Sequence, residues 1–133
     1  MRNACPTARP VARVPSFCPA LVAALAVAVA MPAQAAEKPI EFDIPAGKID
    51  EICLPIKAGD TIHWRFTADG PVDFNLHHHV GKKVVMPVKQ KAITSHEGKL
   101  DIKADAEWCL MWTAPKTRGV SVRGGFATTD VLR

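Results

Sequence analysis

The stretch Thr61-Ile62-His63-Trp64-Arg65-Phe66-Thr67 decides the fold class. Ile62, Trp64 and Phe66 fall at every second position, with His63 and Arg65 between them. A period of two is that of a half-buried strand, whose successive side chains leave opposite faces. The alternation extends in both directions. Upstream, Ile40, Phe42 and Ile44 interleave with Glu41 and Asp43 until Pro45-Ala46-Gly47 breaks the run, and Ile52, Leu54 and Ile56 alternate around Cys53 until Ala58-Gly59-Asp60. Downstream, Asp69-Gly70-Pro71 reads as a turn into a strand over 72–80, and Gly81-Lys82 as a turn into a strand over 83–88. A short strand around Ile93 and a turn at Glu97-Gly98 come next, then strands over 99–103, 107–113 and 119–123, the last running on through Gly124-Gly125 to Phe126. Pro39, Pro45, Pro55, Pro71, Pro87 and Pro115 oppose long helices. The expectation is a single all-β domain, an antiparallel β-sandwich of about seven or eight strands.

Composition narrows the function classes. The chain has 133 residues, 17 Lys+Arg against 13 Asp+Glu, and 48% apolar residues. That apolar content suits one compact domain and argues against disorder. Arg2, Arg9 and Arg13 stand in an N-terminal segment without acids, so the rest is close to neutral. No pull towards nucleic acid follows from the overall charge.

The segment itself reads as an export signal. Its arginines precede the apolar run from Ala20 to Ala30, and Ala33-Gln34-Ala35 supplies a small-x-small cleavage site. The run is shorter than the roughly 20 apolar residues of a membrane span. Residues 1–35 are therefore expected to be removed before Ala36, leaving residues 36–133 as a periplasmic or secreted domain without a span.

Export also changes the cysteine arithmetic. Cys5 and Cys18 leave with the signal, and Cys53 and Cys109 remain. Two cysteines in an oxidising compartment most simply form one disulfide. A thiol pair holding a metal is the rival reading, although the CxxC spacing of zinc sites is absent.

The chemistry concentrates in Asn75-Leu76-His77-His78-His79. On a strand, Phe74, Leu76, His78 and Val80 share the more apolar face, and Asp73, Asn75, His77 and His79 the other. His77 and His79 then stand about 7 Å apart at Cα. Two neutral imidazoles so placed can converge on one ion, and zinc or copper is the metal such ligands favour. His63, His96, Met86, Glu97 and Asp73 are candidate further ligands, and Met86 with Met111 tilts the choice to copper. The competing reading leaves all three imidazoles as strand caps bonded to backbone or solvent. A blue-copper centre needs a thiolate followed closely by His and Met; Cys109-Leu110-Met111 offers no such His.

Catalysis finds no motif. GxSxG, HExxH and P-loop patterns are absent, and the consecutive residues Ser95-His96-Glu97 cannot face one another as a triad on a strand. The expected role is a non-catalytic binding protein. Its alternative is a metal-independent module whose sheet surface meets a protein or other ligand.

Cys53 before Gly59-Asp60-Thr61-Ile62-His63-Trp64, then Val72 to Gly81 around the histidines, then Glu107-Trp108-Cys109-Leu110-Met111-Trp112, together resemble a GOLD-type sandwich. Such domains form the lumenal part of the p24 (emp24-like) cargo proteins and of small bacterial relatives. The resemblance spans about residues 40–123. It implies a jelly-roll-like sandwich, a Cys53–Cys109 bond, a turn at Gly59-Asp60, and a binding or interaction role. The p24 coiled coil and membrane span have no counterpart in the residues after 123, so cargo sorting is not implied.

Overall fold

The computed structural model describes residues 36–129. The export signal read in residues 1–35 lies outside the described residues. Six strands build the domain: β1 (Lys38–Ile44), β2 (Ile49–Ile56), β3 (Thr61–Val80), β4 (Lys83–Asp101), β5 (Ala106–Thr113) and β6 (Val120–Thr129). All pairings are antiparallel and join one sheet of order β1-β6-β3-β5-β2, with β4 on the remaining edge of β3. No helix among the described residues is long and apolar enough to cross a membrane.

The alternation predicts the faces well. Ile40 and Ile44 on β1, Ile62, Trp64 and Phe66 on β3, and Trp108, Leu110 and Trp112 on β5 are all buried. The strand count differs from expectation: two expected segments merge into β3, and three into β4. β3 has 20 residues and β4 has 19. The Asp69-Gly70-Pro71 turn is instead a bend inside β3. There the Arg118 guanidinium packs on Gly70 and donates to the Asp69 carbonyl, while the Ser121 N–H donates to the Asp69 carboxylate at 2.8 Å. The Glu97-Gly98 turn is likewise continuous strand. Gly98 lies opposite Trp64, and a Cβ there would overlap the indole. This glycine is a notch for a ring, a role indistinguishable from a turn signal in sequence.

The bend lets one sheet close on itself. The first part of β3, Thr61–Ala68, pairs with β6. The second part, Asp73–His78, pairs with β5. β1 and β5 are not neighbours in the sheet, yet Phe42 and Trp112 bring their rings to 5.5 Å. The enclosed core centres on aromatics: Phe66 and Phe74 at 5.0 Å, Phe74 and Trp112 at 5.3 Å, and Phe66 edge-on to Trp112 at 5.6 Å. Tilted and edge-on pairs of this kind add roughly 1 kcal/mol each beyond their buried area.

Cys53 and Cys109 face each other on β2 and β5 and are bonded. The rival reading, a thiol pair binding metal, is therefore closed. The bridge fastens an edge strand and shuts a loop of 56 residues.

Two outcomes test this description. Replacing both cysteines with alanine should lower the free energy of unfolding by about 4 kcal/mol, measured by urea titration. Gly98→Ala should cost about 1–3 kcal/mol, because the new Cβ overlaps the Trp64 ring; an unchanged urea midpoint would contradict the notch.

Candidate metal centre

The site lies on the face of β3 turned away from the core. The register places Cys53 of β2, Cys109 of β5 and His77 of β3 in one cross-strand row, and Glu51, Met111 and Asn75 in the next. On the far side, Leu76 pairs with Val88 and His78 with Val85, leaving Met86 and Pro87 opposite His77 in a bulge of β4. His79 pairs with Val84 at the end of the hairpin.

Alternation puts His77 and His79 on this shared face, and their ring centroids lie 5.4 Å apart. With metal–nitrogen bonds of about 2.0 Å and a ring radius of about 1.1 Å, two imidazoles on a tetrahedral ion hold their centroids roughly 5 Å apart. His77 is buried although it stands on the outer face, and His79 is exposed. The Asn75 side chain supplies a fixed partner: His77 Nδ1 lies 2.7 Å from Asn75 Oδ1. An amide oxygen only accepts, so Nδ1 carries the proton and Nε2 keeps its lone pair. In metal sites, a hydrogen bond to the nitrogen that faces away from the ion sets the tautomer and the ring orientation of a ligating histidine. Burial pushes the proton affinity of His77 below the ordinary imidazole range; Glu51 opposes that shift, and His79 and His78 reinforce it. Burial favours the neutral ring that a metal needs, and the hydrogen bond selects the tautomer of that ring whose Nε2 is unprotonated.

His78 points the other way. It is buried, with its ring 4.2 Å from Trp108. Val80, expected on the same apolar face, is 58% exposed because the hairpin end runs past the core. The remaining candidate ligands separate. His63 lies in the first part of β3, opposite Lys99 and Ala127. His96 faces the core from β4, stacks on Trp64 at 5.9 Å, and accepts the Trp64 Nε1–H at 2.9 Å. Glu97 pairs with Arg65 in the same distant part. Asp73 accepts the N–H of Ala92, whose φ of 51° marks a second irregularity of β4. Only Met86 among them is opposite His77.

Among the described residues, one group of His, Cys, Asp and Glu brings three donor atoms within 4.8 Å: Glu51, Cys53 and Cys109. Its sulfurs are spent in the disulfide. Asn75 is not singled out by sequence reasoning as a partner of His77. The signal was present, since Asn75-x-His77 repeats the spacing of His77-x-His79.

No protein-family model and no curated protein matches the chain. Among solved structures, it is similar to PliG from Aeromonas hydrophila, a periplasmic lysozyme inhibitor of g-type lysozyme. The sequences are 14% identical, and the match covers 76% of this chain and 93% of that one at a TM-score of 0.49. At that distance the likeness carries no argument about function, and the GOLD-type resemblance rests on its motifs alone.

The buried ring gives a pH prediction for the metal-free protein. Unfolding exposes His77, which then takes up a proton near pH 6.5. Below that pH the unfolded chain binds more protons at this residue than the folded one, so stability falls as pH drops. The urea midpoint should decrease between pH 7.5 and 5.5, and less steeply in His77→Gln. Parallel curves for the two proteins would contradict the buried neutral imidazole.

Proposed function

We propose that this is a small exported, non-catalytic binding protein that holds one transition-metal ion, copper or zinc, through His77 and His79. One observation carries the reading: the two rings share a face at 5.4 Å, the spacing of a two-imidazole chelate, and Asn75 leaves the His77 Nε2 lone pair free. The disulfide supports export to an oxidising compartment, periplasmic or extracellular, after removal of residues 1–35. A binding role is also what the GOLD-type resemblance implies.

His77 serves as the fixed ligand, oriented by Asn75 and shielded by its burial. His79 serves as the accessible one, near the hairpin end where an ion arrives from solvent. A bound ion stabilises the folded state in proportion to the logarithm of its concentration over the dissociation constant.

Titration calorimetry of the untagged protein with Cu(II), Zn(II) and, under ascorbate, Cu(I) tests the proposal. His77→Ala and His79→Ala should each weaken binding by about a hundredfold or more, since loss of a hydrogen-bonded partner of a ligand alone can cost that much. His78→Ala should leave the affinity unchanged while lowering the melting temperature, since that ring packs on Trp108. Equal loss in all three variants would overturn the assignment. No binding by the wild type would leave the metal-independent interaction module.

A further inference from the structure

We infer that the ion taken here is cuprous, and that the thioethers of Met111 and Met86 complete its coordination. This rests on the His77–His79 site proposed above and names its ligand set and oxidation state.

The sequence holds four methionines, of which Met86 and Met111 fall within the described residues. Both flank His77. Met111 pairs with Asn75, two residues from His77 on the same face, so it is diagonal to the imidazole across the β3–β5 ladder. Diagonal neighbours on an antiparallel pair are within reach of long side chains. Met111 is half-buried, next to Cys109 on the outer face of β5. Met86 approaches from the opposite strand. The bulge between Leu76–Val88 and His78–Val85 sets Met86 and Pro87 against His77, and Met86 is 42% exposed. Its neighbours Val85 and Val88 are half-buried. The bulge therefore keeps Met86 on the outer face.

Chemistry selects the ion from this donor set. Imidazole with thioether is a soft, uncharged combination that suits Cu(I), which accepts two to four ligands without demanding geometry. Zinc seeks a further nitrogen, thiolate or carboxylate. The disulfide has removed both thiolates. His96 and Asp73 are committed to Trp64 and Ala92. Glu51, in the row of Met111, is the carboxylate that bears on His77. Thioethers survive where thiols pair off, so a site of this composition keeps soft donors in an oxidising compartment. The three rotatable bonds of methionine let Met86 close over an ion from the exposed side.

The test is competition for Cu(I) between the untagged mature protein, as isolated after export, and bicinchoninate. It is run under ascorbate, which spares the disulfide, with Zn(II) affinity measured in parallel. Met111→Leu and Met86→Leu conserve volume and should fold normally. Each should lower Cu(I) affinity by about tenfold or more and leave Zn(II) affinity unchanged. X-ray absorption of the Cu(I) form should contain a copper–sulfur shell that the double leucine variant lacks. Unchanged Cu(I) affinity in both leucine variants, with loss in His79→Ala, would overturn the thioether ligands and leave the histidine chelate standing. Zinc bound more tightly than Cu(I), and weakened by Glu51→Gln, would equally overturn a cuprous site. Failure of the wild type to bind any of these ions would remove both proposals.

Discussion

β3 is shared by two halves of one sheet, and the rest of the architecture depends on how it bends. One edge carries β4 along nearly its whole length. The other carries β6 and then β5, which cannot both lie flat beside a straight strand and still bury their apolar faces on each other. The bend between Ala68 and Val72 resolves the conflict, and Arg118 on Gly70 with Ser121 on Asp69 holds it. Phe66 and Phe74 stand on either side of the bend and meet at 5.0 Å. The core is therefore assembled at the place where the strand changes direction.

The same bend isolates the histidines. Asn75, His77 and His79 belong to the second part of β3, flanked by β5 and the start of β4. His63, on the first part of β3, and His96 and Glu97, on the end of β4 that pairs with it, lie where β6 also joins β3. Residues that sequence alone offers as one ligand set are thus divided by topology. The alternation rule sorted His77 and His79 from His78 correctly. What it could not convey is that an outward ring can still be buried: His77 sits in the row of the disulfide and is covered from its own face.

Much of the fold was legible because its signals are local. Period-two runs identified the faces of β1, β2 and both parts of β3. Strand ends were less legible wherever glycine or proline serves packing instead of a turn. Gly98 makes room for Trp64, and Gly70 seats Arg118, whereas Gly47, Gly59 and Gly81 take positive φ values and do end strands. A sequence writes both roles with the same letter, and only the partner across the sheet separates them. Met86 was legible as a ligand type, but its place opposite His77 depends on a bulge that no spacing rule marks.

The irregular pairing of β3 with β4 has a further consequence, for the behaviour of the protein in a crowded compartment. β4 is a 19-residue strand with no partner on its outer side among the described residues, the kind of edge on which another chain can add itself. Three breaks in register interrupt it. Pro87 removes one backbone donor, and Lys83, Lys89, Lys91 and Lys99 distribute charge along it. An edge so broken offers an incoming strand no long run of matching donors and acceptors. The bulge that sets Met86 and Pro87 opposite His77 therefore also helps to keep one copy of the sheet from growing onto the next.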